Sequence, residues 1–160
     1  VVFLMIGGGK RFDQLRNAVR ARGLTRSFRF MPYQDRQMLR FSLGASDAHW
    51  LSLHPTLEGL IVPSKFYGIA AAGRPIVVIG AKDGELARLV CEHDCGIAVE
   101  TGDVDTLCNS LLRLCAAPET AAAMGIRARN MLEAHFARRQ ALGRWDALLD
   151  GLDARRAPAA

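Results

Sequence analysis

Lysine is nearly missing from a chain that is otherwise basic. Of 21 lysine and arginine residues only Lys10, Lys65 and Lys82 are lysines, and against 16 acidic residues they leave a net charge of +5. The excess is scattered, with Arg138-Arg139 and Arg155-Arg156 as the only arginine doublets, and aromatic residues make up 7% of the chain. Nucleic-acid-binding surfaces gather charge on one face and interleave it with aromatics. Neither feature is present, so nucleic acid is excluded as a partner. The charge balance suits nucleotide phosphates, an anionic membrane surface or a plainly solvated exterior equally well.

Long hydrophobic runs are absent too. No apolar stretch reaches the roughly 18 residues that a membrane-spanning helix needs. The opening run, Val1 to Ile6, is too short for a signal peptide and leads straight into glycines. Its first residue is a valine in mid-run, so the chain is expected to be a piece of a longer protein. The 160 residues suffice for one compact domain with a real core.

Cysteine is sparse. Cys91 and Cys95 flank His93 in the nearest approach to a metal-ligand cluster, while Cys108 and Cys115 fall seven apart on an apolar helical face. Free cysteine packs there as a small hydrophobe, so no metal is expected and the compartment is read as reducing. No serine or cysteine triad signature accompanies any of the four histidines. A Walker loop is excluded, because Gly7-Gly8-Gly9-Lys10 lacks the glycine-lysine-serine/threonine ending. The full G-x-G-x-x-G spacing is missing as well, since Arg11 and Phe12 hold its last positions.

What is present is an alternation of short apolar runs with helical patterns. Strands are expected at Val1 to Ile6, Ser27 to Met31, Ala48 to Leu53, Pro75 to Ile79 and Gly96 to Val99. Helices are expected from Phe12 to Gly23, after Asp35 as cap, from Pro63 to Gly73, from Gly84-Glu85, after Asp103 as cap, from Pro118 and from Arg138 to Leu149. Continuous apolar strands mean burial on both faces. The fold class is therefore α/β, a Rossmann-like open, mostly parallel sheet with helices on both faces. Residues 1–150 form the domain and 151–160 a frayed tail.

Ligands of such sheets settle at the carboxyl ends of strands, near helix N-termini. This selects the loops Gly7 to Lys10, Pro32 to Asp35, His54 to Ser64 and Gly80 to Glu85. Gly8 and Gly9 can offer bare backbone amides to a phosphate, or simply make a tight turn. Pro63-Ser64-Lys65 opens a helix, where free N–H groups, a hydroxyl and a scarce ammonium would seat a pyrophosphate. The alternative is a lysine on a solvent-facing surface. Glu58-Gly59 lies just before it, either accepting hydroxyls of a sugar or standing in water, and His54 contacts a ligand or lines the turn. Asp83-Gly84-Glu85 reads first as a helix start. Trp50, Phe66, Tyr67 and Trp145 read as core or interface packing.

Taken together, "IGGGK", "FRFMPYQD", "ASDAHWLSLHPTLEGLIVPSKFYGIAAAGRPIVVIG" and "CGIAVETGDVDTLCNSLLRL" resemble the C-terminal, donor-binding half of the GT-B glycosyltransferases of the retaining family 4 type. The likeness extends over Val1 to Leu149 and is strongest to bacterial transferases of colanic acid and O-antigen biosynthesis. It implies a hexosyltransferase moving a sugar from a nucleotide diphosphate sugar to a saccharide or lipid-linked acceptor, in cell-surface polysaccharide or lipopolysaccharide synthesis. Configuration would be retained without a metal or other cofactor. The resemblance assigns Glu58 and Lys65 to catalysis and Ser64 with Lys65 to the diphosphate. Glu58 and the amides of Gly59 and Leu60 would face the donor sugar, and Met31, Pro32 and Tyr33 would border the base. It also implies a cytoplasmic protein, at the inner face of the cell membrane by peripheral association, with an N-terminal acceptor domain outside these residues.

Two departures follow from the same comparison. The family carries a second glutamate that hydrogen-bonds the ribose, and counting back from Gly73-Arg74-Pro75 puts that position at Gly68, ten residues after Glu58. Ribose recognition must then differ. The family's donor domain also opens with one more strand and helix, ahead of the position of Val1, and that strand is central. The expectation is a sheet compromised at its centre, repaired by direct pairing of the neighbours or by another copy of the chain. Two other functions fit the architecture. A UDP-sugar epimerase would draw on Glu58, Glu85 and His54, and a non-catalytic scaffold would keep only the fold.

Overall fold

The computed structural model describes residues 1–156, with side-chain placement through Leu152. Its strands and helices alternate. β1 (Phe3–Ile6), α1 (Phe12–Ala21) and β2 (Phe28–Met31) come first. A short 3-10 turn (Arg36–Met38) leads into α2 (Leu39–Gly44), then β3 (His49–Ser52), a second 3-10 turn (Pro55–Leu57), α3 (Lys65–Ala71) and β4 (Ile76–Gly80). α4 (Glu85–Glu92), β5 (Gly96–Glu100), α5 (Val104–Ala116), α6 (Pro118–Met131), a π turn (Leu132–Phe136) and α7 (Arg138–Arg156) complete the order. Every strand pairing is parallel.

β4 is the axis of the core. It lies between β3 and β5, with Ile76 and Val77 fully buried and Val78 nearly so. Successive strand side chains point to opposite faces, and both faces are covered. Ile76 and Val78 meet Phe66, Ile69 and Ala70 of α3 and Leu86 and Val90 of α4 on one side. Val77 meets Leu114 of α5 and Ala121 of α6 on the other. The sequence expectation of a buried parallel sheet between helical layers is met here.

α6 belongs to both layers. Ala121 and Met124 join the second cluster, Ala128 and Met131 the first, so the helix passes from one face of the sheet to the other. At the crossing, Gly125 lies directly on the backbone of Gly73 and Arg74: a Cβ there would stand 2.7 Å from the Gly73 carbonyl carbon. Gly73 itself has φ +65°, the left-handed turn that ends α3.

The sheet is split. β1 pairs only with β2, and among the described residues no backbone hydrogen bond joins β1 to β3. The expected direct pairing of neighbours is not made. A row of rings spans the division instead: Phe3 of β1 lies 4.8 Å from Phe28 and 5.2 Å from Trp50 of β3, centroid to centroid. Trp50 thus packs at a seam and stays 37% exposed, while Trp145 is exposed and outside the core.

Other expectations shift in detail. Asp35 precedes a 3-10 turn and its side chain makes no cap, whereas Asp103 accepts from the N–H of Thr106 at 3.0 Å and does cap α5. α3 starts at Lys65, leaving Pro63 ahead of the helix. Cys108 and Cys115 are exposed; Cys95 is the buried thiol, its pKa pushed up to about 11 by burial. α7 continues through Arg156 where a frayed tail from 151 was expected, and 157–160 lie outside the described residues.

Candidate functional site

The sequence-selected loops fall into two groups. On the β1–β2 pair, Gly7 to Gly9 leave β1 with φ of +114° at Gly7 and +150° at Gly9, conformations that glycine alone adopts readily. The absence of side chains lets Tyr33, arriving from the end of β2, lay its ring on this backbone. A Cβ at Gly7 would come 3.1 Å from that ring, and the Tyr33 hydroxyl donates to the Gly8 carbonyl at 3.3 Å. Tyr33 is nonetheless 78% exposed, and Met31 beside it is 41% exposed. The Pro32 carbonyl accepts from the Gln34 side chain at 2.9 Å. Gly7 and Gly8 are thus in contact with Tyr33, and Met31 and Pro32 lead into it from β2.

The second group stands at the carboxyl ends of β3 and β4. The 3-10 turn Pro55–Leu57 is opened by His54, whose Nδ1 accepts from the Thr56 N–H at 3.4 Å. That bond accounts for His54 as a turn residue. Gly59 then turns back at φ +76°. The Leu60 N–H is donated to the Leu57 carbonyl at 3.1 Å, so this amide is already used within its own turn, while the Leu60 side chain is 74% exposed. Glu58 reaches away from this loop and accepts from the N–H of Glu85, the first residue of α4, at 3.3 Å.

α3 brings the remaining residues. Its Phe66 N–H is taken by the Pro63 carbonyl at 3.0 Å. The N–H groups and side chains of Ser64 and Lys65 have no hydrogen-bond partner among the described residues, and both residues are exposed. Phe66 anchors the helix in the core. Gly68 faces α2, where a Cβ would meet Leu43 at an ordinary 3.5 Å. Burial, and then the Glu85 charge, push the Tyr67 pKa up. Among the described residues no side-chain hydrogen bond or ion pair links this group to the Tyr33 surface.

Sequence reasoning missed two features. Gly84 and the Glu85 amide receive the Glu58 carboxylate, and the only signal was a glycine where a capping side chain is usual. The side chains of His49 and Arg74 hold the end of α2, donating to the carbonyls of Leu43 at 2.8 Å and Gly44 at 2.5 Å. Neither is visible from spacing. Two hollows lie away from these loops, one of about 180 Å³ between α1 and β2 and one of about 240 Å³ beside His93 and His135. Among the described residues, no three His, Cys, Asp or Glu side chains converge as metal ligands, and no helix is long and apolar enough to cross a membrane.

Comparison with the curated proteins finds no match. Solved structures share the fold. Sucrose-phosphate synthase (tll1590) from Thermosynechococcus elongatus superposes with a TM-score of 0.78 at 21% identity, over 95% of this chain and 38% of that one. Anabaena Alr3699/HepE, in complexes with UDP and with UDP-glucose, gives 0.75 at 16% identity, over 94% of this chain and 41% of that one. The C-terminal domain of a group 1 glycosyl transferase (LpcC) from Francisella tularensis gives 0.69 at 16% identity, over 86% and 70%. The chain thus spans about two fifths of the length of the first two. The profile of the family described as "Glycosyl transferases group 1" matches residues 1–131. With the fold of a GT-B C-terminal domain and that match over most of its length, the chain belongs to the group 1 glycosyl transferases.

Proposed function

We propose that this chain is the donor-nucleotide-binding half of a glycosyltransferase that moves a hexosyl group from a nucleotide diphosphate sugar to a saccharide or lipid-linked acceptor. The observation that carries the proposal is the family match over residues 1–131. The loops at the carboxyl ends of β3 and β4, beside Ser64 and Lys65, which are unpartnered among the described residues, supply the chemistry. Departure of a nucleoside diphosphate leaves growing negative charge on a phosphate oxygen. Preorganised donors and a cation offset that charge in the transition state more than in the ground state. α3 has only seven residues, so Lys65 supplies most of the compensation, aided by the Ser64 hydroxyl and the first free amides.

In this reading Lys65 does what a metal ion does in other transferases, and the sugar keeps its anomeric configuration. Glu58 faces the donor sugar with Gly59; the Leu60 amide contributes only if its bond to Leu57 opens. Gly8, Gly9 and the Met31–Tyr33 surface take the base side of the nucleotide. Gly68 offers the ribose no side chain. The whole protein works in the cytoplasm, at the inner face of the cell membrane, in bacterial surface polysaccharide synthesis.

Calorimetric titration of the full-length protein with UDP, GDP and ADP tests the binding step: one of them should bind, and a scaffold would bind none. Lys65→Ala should then lower transfer by on the order of 10²–10³-fold with the fold intact by circular dichroism. Retention of most activity would overturn the role of Lys65. Turnover of a free UDP-sugar without any acceptor would instead identify an epimerase.

A further inference from the structure

Helices usually begin on serine, threonine, aspartate or asparagine, whose side chains accept from the first free amides. α4 begins on Gly84. Its backbone gives no reason for glycine, because φ −63° and ψ 156° are extended values open to any L-residue. The reason is Glu58. A Cβ built on Gly84 would run into Oε1 of Glu58 and stand 2.8 Å from its Cδ. Gly80, the last residue of β4, is also near, and a Cβ there would lie 4.0 Å from the same oxygen. The other carboxylate oxygen accepts from the Glu85 N–H at 3.3 Å. The cap that residue 84 cannot supply thus arrives from a different loop.

We propose that Gly84 is a positioning residue for Glu58: its bare Cα is the space through which the Glu58 carboxylate reaches the first amide of α4, and that contact fixes where the carboxylate points. This deepens the function proposed above and rests on its reading of Glu58 as the carboxylate facing the donor sugar. A methyl group at position 84 would displace the end of a flexible side chain. The nearest backbone atom, the Ala81 carbonyl oxygen at 3.1 Å, needs to yield by only a few tenths of an ångström. The fold therefore survives Gly84→Ala while the carboxylate does not stay in place.

Two readouts test this in the full-length protein. In protein labelled with ¹⁵N-glutamate, Glu58→Ala should move the Glu85 amide resonance, and Gly84→Ala should move it in the same direction. For transfer, Gly84→Ala should leave affinity for the preferred nucleoside diphosphate within about twofold and lower donor turnover on the order of 10²-fold, the scale of a reacting group misplaced by about 1 Å. A shorter acid relieves the collision, so Gly84→Ala with Glu58→Asp should recover about tenfold of that loss. An unmoved Glu85 amide in Gly84→Ala, or losses from Gly84→Ala and Glu58→Ala that multiply, would overturn the proposal. A shifted amide with undiminished turnover would leave the placement of Glu58 standing and refute its role at the donor sugar.

Discussion

A single imidazole shows how burial turns into pH dependence. His49, at the start of β3, donates from Nε2 to the Leu43 carbonyl. Its pKa is lowered from 6.5, first by burial; the hydrogen bond to Leu43 opposes this, and the charges of Arg74 and Lys65 add to it. Below that ordinary value the unfolded chain takes up a proton that the folded chain resists, so stability is full above it and declines as the pH falls. The urea midpoint of the chain should drop between about pH 7 and about pH 5, and His49→Gln should flatten that drop. Equal slopes in the two proteins would remove His49 as the cause. The sequence offered no hint of this residue, because its partners come from α2 and from Arg74 far along the chain. Lys65 stands out for the opposite reason: scarcity and a place two residues after a proline mark it without any tertiary knowledge.

At the scale of elements, α6 shows glycine used for closeness. Alanine is the better helix former, yet a Cβ at Gly125 would press on the Gly73 and Arg74 backbone, which has no rotamer to yield. Gly125→Ala should therefore destabilise the chain by about 1–3 kcal/mol, the cost of overpacking a tight contact. A chemical denaturation curve gives the value, and a neutral or stabilising result would mean that the crossing can open freely. Arg127 secures the same helix, with Nε donating to the Asp94 carbonyl at 2.6 Å and a guanidinium nitrogen 2.9 Å from the Asp94 carboxylate. Asp94 sits at φ +45°, so the clasp holds a turn that a non-glycine residue adopts reluctantly.

Across the whole molecule, the division between β1–β2 and β3–β4–β5 sets unequal stability. β4 has partners on both edges and helices on both faces, while β1–β2 leans on α1 and on the Phe28–Phe3–Trp50 row. Hydrogen exchange should find the β4 amides slowest and the β1–β2 amides faster, and Trp50→Ala should widen that difference. Identical protection in both sheets would mean that they unfold as one unit. The donor site proposed above draws residues from both sheets, so the seam bears on how the two halves of a nucleotide are held together.

The alternation of apolar runs with helical periods determined the element order, the parallel sense of the strands and the loops that gather the candidate residues, because these follow from local spacing and burial pattern. Asp103 as a cap and Gly73 as a helix end were equally local and equally readable. Pairing between strands is not local: whether β1 meets β3 depends on backbone geometry across the sheet, and only the tertiary structure left them apart. The same holds for Glu58, whose carboxylate is placed by Gly84 and the amide of Glu85, 27 residues away along the chain. Spacing specifies which groups a loop carries; the direction in which each points is decided by what another loop leaves empty.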